Sequence, residues 1–158
     1  MITKTQAARF RSLIAVVALS LFAAVTHAAA QERGTTRDKA VAIESGQVTD
    51  ELDGSDDSYW YKFTAGPGKV TITLEVEANE TNAGATLDVF SVGTRPILSN
   101  VLAQGVDKGS ERVEKSFKLT KQQTIFVRIK GIKYGESGGT GSYTITVQTG
   151  EKKVQGDG

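Results

Sequence analysis

The chain has 158 residues, with no cysteine, one histidine and a formal net charge of +1 at neutral pH. Without cysteine it has neither a disulfide nor a cysteine nucleophile, and it carries no lipid on a lipobox cysteine. Its balanced charge argues against a general binder of nucleic acid or of anionic membranes.

Residues 1–30 have the pattern of a secretory signal peptide. Lys4, Arg9 and Arg11 form a basic start, and an apolar stretch follows over residues 13–25. The small residues Ala28-Ala29-Ala30 fit a cleavage site after Ala30, and cleavage after Ala28 is the alternative. An uncleaved membrane anchor is disfavoured, because a spanning helix needs about 20 apolar residues.

Removal of this segment takes away three of the 19 basic residues and none of the 18 acidic ones, which leaves a net charge of −2. About 128 residues then remain, enough for one domain. A cysteine-free exported chain favours a bacterial source. We therefore expect an exported protein, periplasmic or secreted, whose mature chain neither inserts into a membrane nor binds nucleic acid.

The rest of the chain predicts one domain over residues 40–150, between a flexible leader (31–39) and a flexible tail (151–158). Apolar residues occupy every second position in the segment from Val70 to Val76, a period typical of a strand. The other runs with this alternation, and weaker candidates, lie at 59–63, 125–130, 143–147, 40–43, 46–52, 85–92, 97–104 and 112–119. With glycine-rich turns between them, they predict an all-β fold: an antiparallel, jelly-roll-like β-sandwich of about eight or nine short strands.

Several of these segments together resemble a known family. The first half contains Gly46 to Leu52, Asp56-Asp57, Tyr59-Trp60-Tyr61-Lys62-Phe63 and Ala65-Gly66, and the second half contains 86–90, 126–129 and 141–145. In this order they resemble the bacterial pre-peptidase C-terminal domain over about residues 38–148. The resemblance implies a jelly-roll-like β-sandwich of a kind usually appended to secreted peptidases.

Ordinary side-chain catalysis is disfavoured. Residues 135–139 match the Gly-x-Ser-x-Gly nucleophile motif, but that motif acts at a strand-to-helix turn beside a histidine base. The single histidine, His27, leaves with the signal peptide, so the mature chain forms no Ser-His-Asp triad. Paired carboxylates such as Glu75 and Glu77 are expected on a solvated strand face. We predict a protein that is not an enzyme.

Clustered carboxylates form the first candidate site. Five acidic residues fall within eight positions: Asp50, Glu51, Asp53, Asp56 and Asp57. Calcium takes six to eight oxygen ligands in a flexible loop, so Asp50, Asp53, Asp56 and Asp57 are candidate metal ligands. Some members of the family that the sequence resembles bind calcium near this end of the domain. The alternative is a solvated turn without a metal.

The second candidate is Trp60, which the alternation places opposite to Tyr59 and Tyr61. An outward tryptophan suits stacking on a sugar ring or an interface, unless a loop or the leader covers it. Eight basic residues between 108 and 133 could likewise attract a charged partner, although lysines also protect strand edges.

These features predict an exported, non-catalytic module with a binding or structural role towards a protein or an extracellular polysaccharide or other polymer, with calcium as a candidate stabilising ion. The alternative is a carbohydrate-binding module that uses Trp60. A minimal hydrolase is a third, disfavoured hypothesis.

Overall fold

The computed structural model describes residues 33–79, 81–135 and 139–150. The predicted signal peptide, the predicted tail and residues 136–138 of the Gly-x-Ser-x-Gly match lie outside these ranges. The described part is a 3-10 turn at Arg37–Lys39 followed by strands. The nine strands are β1 (Val41–Ala42), β2 (Gln47–Asp53), β3 (Ser58–Ala65), β4 (Gly68–Ala78), β5 (Ala83–Phe90), β6 (Pro96–Gly105), β7 (Ser110–Leu119), β8 (Gln123–Gly131) and β9 (Thr140–Thr149).

The strands form two sheets that pack face to face. The five-stranded sheet has the order β1-β3-β8-β5-β6, and the four-stranded sheet has the order β2-β9-β4-β7. All neighbours are antiparallel except β1 and β3, which pair in parallel over two residues. The predicted all-β sandwich of eight or nine strands is confirmed. Among the described residues, no helix is long and apolar enough to cross a membrane.

The core lies between the sheets and follows the alternation of the sequence. Val70, Ile72, Leu74 and Val76 of β4 are each at most 1% exposed, and they face the buried side chains of the other sheet. Those facing residues include Tyr61, Leu87, Val89, Ile125, Val127 and Ile129. At roughly 2 kcal/mol for each large apolar side chain removed from water, this layer is the main stabilising contribution to the fold.

Residues 33–43, here called the N-terminal strap, lie along the free edge of β3. The Trp60 backbone N–H donates to the carbonyl of Gly34 at 2.7 Å, and the Ile43 N–H donates to the carbonyl of Lys62 at 2.9 Å. Gly34 is buried so tightly that a Cβ there would lie 2.6 Å from the Trp60 carbonyl oxygen. Within residues 33–39, Arg33 and Gly34 form hydrogen bonds with β3, and Arg37 forms hydrogen bonds with the connection between β5 and β6. The flexible leader over residues 31–39 stays a prediction.

Candidate binding surface

The outer face of the five-stranded sheet carries aromatic and cationic side chains in two rows. Strand register places Trp60 beside Arg128, and Arg128 beside Asp88. The next row places Lys62 beside Phe126, and Phe126 beside Phe90. We call Trp60, Phe90 and Phe126 the aromatic face.

Trp60 lies on the outer face, as the alternation predicts, but its ring is only partly exposed. The ring packs on Phe90 with centroids 5.4 Å apart, and the Arg128 guanidinium lies 5.7 Å from its centroid. Its backbone is covered by Gly34 of the strap. A role for Trp60 in ligand binding stays a prediction.

Arg37 of the strap covers another part of the aromatic face. Its guanidinium lies 4.4 Å from the centroid of Phe126. The same group donates hydrogen bonds to the carbonyls of Ser91 and Gly93, in the connection between β5 and β6. Arg37 thus fixes both the strap and this connection over the sheet.

Asp88 holds Arg128 and strand β6 in place on the outer face. The residue is 3% exposed, and its carboxylate accepts hydrogen bonds from Nε and Nη2 of Arg128 at 3.0 and 2.7 Å. It also accepts the backbone N–H of Asn100 at 2.9 Å, where β6 turns through a positive φ of 55°. One carboxylate therefore orients the arginine beside Trp60 and holds the irregular pairing of β5 with β6.

We expect Asp88 to make stability depend on acid pH. Burial alone would raise the pKa of Asp88, but the Asn100 and Arg128 hydrogen bonds outweigh it and hold the pKa below its usual value. The unfolded chain then binds the proton more tightly, so this stabilisation is present above about pH 4 and is lost as pH falls through the folded pKa. Asp88→Asn should cost about 1–2 kcal/mol at pH 7, and less as the pH falls.

Urea unfolding of wild type and Asp88→Asn between pH 2 and pH 7 measures this difference. A Thr124→Ala variant, which removes no titrating group, should follow the pH profile of the wild type. A wild-type to Asp88→Asn difference that stays constant over the whole pH range would contradict the expectation.

A groove of about 650 Å³ lies between the strap and strands β3 and β8. Two cross-strand pairs contribute to its lining, Lys62 with Phe126 and Thr64 with Thr124. Val92, which is 73% exposed, lies at its margin. Arg37 and Asp38 of the strap also line it, so the groove offers two cations, one carboxylate, an aromatic ring, two hydroxyl groups and an apolar contact at one place.

A second polar cluster ties the strap to the other sheet. Arg33 donates from Nε and Nη2 to the two carboxylate oxygens of Asp50, each at 2.9 Å, and its guanidinium lies 4.7 Å from the Tyr59 ring centroid. Tyr61 donates to Asp50 at 3.3 Å, and the hydroxyls of Tyr61 and Tyr143 are 2.5 Å apart. Burial raises the pKa of Tyr61 to about 12 and also raises that of Tyr143, so both hydroxyls stay protonated at neutral pH.

Two of the four predicted metal ligands, Asp50 and Asp53, lie beside the same Arg33 guanidinium, at 2.9 and 3.7 Å. Asp53 also accepts hydrogen bonds from the N–H and hydroxyl of Ser55. The remaining two, Asp56 and Asp57, are exposed. Within the described ranges, no three acidic, histidine or cysteine side chains are grouped closely enough to hold a metal. Calcium binding at this turn stays a prediction.

The groove residues were not singled out by the sequence. The outward positions of the alternating segments hold Lys62, Thr64, Thr124 and Phe126. That alternation was the sequence pattern from which their exposure to a ligand could have been predicted. The eight basic residues of the window 108–133 do not share one surface, because β7 belongs to one sheet and β8 to the other.

Comparisons with protein-family models and with curated proteins find no match. Among solved structures, the pre-peptidase C-terminal domain of collagenase from Bacillus anthracis is similar, with 18% identity, a TM-score of 0.44 and coverage of 69% of this chain and 94% of that one. PliG from Aeromonas hydrophila, a periplasmic inhibitor of g-type lysozyme, has 16% identity, a TM-score of 0.42 and coverage of 69% and 96%. A CBM35 domain from Cellvibrio japonicus has 12% identity, a TM-score of 0.38 and coverage of 79% and 94%.

These likenesses concern the fold. The chain is a β-sandwich. The solved structures similar to it include a domain of the pre-peptidase C-terminal family, the family that the sequence resembles. At such identities a shared fold does not carry a shared ligand, because sandwich folds host many unrelated functions.

Proposed function

We propose that this chain is an exported, non-catalytic module that binds an extracellular polymer through the groove beside the strap. The observation that carries the proposal is the composition of the groove, with Lys62 and Phe126 next to Thr64 and Thr124. Export is supported by the signal-peptide pattern of residues 1–30. The absence of histidine and cysteine after His27 supports a role without catalysis by a histidine-dependent triad.

The groove chemistry suits a polymer with hydroxyl groups. A threonine hydroxyl both donates and accepts hydrogen bonds, as a sugar hydroxyl does. Val92 and the part of the Phe126 ring that the Arg37 guanidinium leaves uncovered offer apolar surface against which a sugar ring can pack. Because Arg37 and the strap already hold Phe126, little side-chain entropy is left to lose on binding.

Polymer retention tests this function. Affinity electrophoresis of the exported protein through gels containing polysaccharides should show retention by at least one of them. Thr64→Ala combined with Thr124→Ala should weaken that retention by about tenfold, because two hydrogen-bonding groups are lost.

A matched control exists on the opposite sheet. The hydroxyls of Thr71 and Ser116 are 2.9 Å apart across β4 and β7. Thr71→Ala combined with Ser116→Ala removes the same groups from the other face and should leave retention unchanged. Wild-type protein that passes every polymer gel without retardation would contradict the proposed function.

Trp60 provides the second candidate, a carbohydrate-binding module centred on the aromatic face. It is favoured by the outward position of the ring beside Arg128. Loss of retention in Trp60→Ala, with full retention in the paired threonine variant, would move the site from the groove to Trp60.

A further inference from the structure

We infer that the polymer bound in the groove is an acidic polysaccharide, recognised through the carboxylates of its uronate units. This inference rests on the proposed function, since it names the chemical class of the ligand for the same face. It follows from the charge of this face, from the spacing of its lysines, and from the strap, which already pairs with the edge of β3.

The two outer faces of the sandwich differ in charge. On the five-stranded sheet, the outward positions of β3, β8 and β5 hold Lys62, Arg128 and Lys130 against Asp88. On the four-stranded sheet, β2, β4 and β7 present more acidic than basic residues outward, namely Glu51, Asp53, Glu75, Glu77 and Glu114 against Lys69, Arg112 and Lys118. A polyanion is therefore attracted to the five-stranded sheet and repelled by the other.

Lys62 and Lys130 are the cations that suit a ligand. Arg128 is paired with Asp88, and Arg37 donates to backbone carbonyls, so both arginines have a structural role. Lys62 and Lys130 form no ion pair with another described residue. Lys62 lines the groove together with Arg37 and Asp38, and Lys130 lines a second depression of about 420 Å³ on the same face together with Lys133 and Asp56. Basic residues therefore outnumber acidic ones in both linings.

The lysines are spaced along one strand direction. Lys130 pairs with Ser58, four residues before Lys62 on β3. At about 3.3 Å per residue, the two positions are about 13 Å apart along the strand. A chain lying along β3 thus meets a cation at both ends of this stretch, with Trp60 between them, which suits a ligand with repeating negative charges.

A polysaccharide fits this edge better than an acidic peptide. A peptide would gain most of its affinity by adding as a strand to the open edge of β3. The strap already pairs with that edge at Val41–Tyr61 and Ala42–Lys62, and Gly34 accepts the Trp60 N–H. Side-chain hydroxyls and a cation remain available, and they match the hydroxyl and carboxylate groups of a uronate chain.

Affinity electrophoresis with four probes tests the inference: polygalacturonate, its fully methyl-esterified form, dextran and polyglutamate. We expect retention by polygalacturonate that weakens with added salt, and little retention by the esterified chain, which has the same backbone without the charges. Lys62→Ala combined with Lys130→Ala should weaken retention by about tenfold. The control, Lys69→Ala with Lys118→Ala, removes a cross-strand lysine pair from the opposite sheet and should change nothing.

The outcomes separate this inference from the proposed function. Equal retention by both forms of polygalacturonate, or by dextran, would overturn the uronate class and leave a polymer-binding module. Retention by polyglutamate alone would assign the face to an acidic protein and also overturn it. If Lys62→Ala with Lys130→Ala and Lys69→Ala with Lys118→Ala weakened retention equally, the assignment of the site to this face would be overturned. No retention by any probe would contradict both proposals.

Discussion

Replacing Gly141 by alanine is expected to lower the free energy of unfolding by about 3 kcal/mol or more. Gly141 lies in β9 between β2 and β4, where it pairs with Leu52 and Ala78. A Cβ at this position would lie 2.1 Å from the carbonyl oxygen of Glu77 and 2.9 Å from the Cβ of Ala83. Because the first obstacle is backbone of the central strand β4, it cannot move without breaking sheet hydrogen bonds on both sides.

Urea denaturation followed by tryptophan fluorescence measures this effect, with the slope m compared alongside the midpoint. Gly93→Ala is the control, because an added Cβ there meets its first neighbour only at 4.0 Å. It should change stability by less than about 0.5 kcal/mol. A Gly141→Ala protein as stable as the Gly93→Ala protein would show that the sheets separate more easily than the structure implies.

The second large effect is expected at Arg33. Its removal leaves Asp50, whose side chain is 13% exposed, as a carboxylate without its cation. Breaking a buried ion pair costs about 3–5 kcal/mol, and the partial exposure of Arg33 reduces the expected loss for Arg33→Ala to about 2–3 kcal/mol. Arg95→Ala, a change at an exposed arginine, is the control and should cost less than about 0.5 kcal/mol.

A double-mutant cycle separates the ion pair from other effects of the substitution. In an Asp50→Asn background, loss of Arg33 no longer leaves an unpaired carboxylate at residue 50. The double variant should therefore be more stable, by at least about 1 kcal/mol, than the sum of the two single changes predicts. Strict additivity would mean that Arg33 stabilises the strap by its packing on Tyr59 rather than through Asp50.

Local patterns in the sequence were sufficient for the strands of the core. The alternation from Val70 to Val76 depends on neighbouring residues alone, and it predicts both the strand and its buried face. The strap could not be predicted in this way. Its contacts join Arg33 to Asp50, 17 residues away, and Arg37 to Ser91, 54 residues away, and no periodicity encodes such pairs.

The same limit applies to the candidate site. The groove requires β3 and β8 to be neighbours, although Lys62 and Phe126 are far apart in the chain. In the acidic cluster, residues that are close in sequence have different partners in the fold, and calcium binding there stays a prediction. The pleat of β2 directs Asp50 towards Tyr61, while Asp53 at the end of the strand bonds to Ser55.

The strap also affects how the protein behaves at high concentration. Strand β3 contains the uncharged aromatic run Tyr59-Trp60-Tyr61, and an unpaired edge of such a strand is a template for further strands. Gly34 and β1 occupy that edge in each molecule. We therefore expect variants that lose the strap contacts, such as Arg33→Ala, to expose this edge and to self-associate through β3 more readily than the wild type.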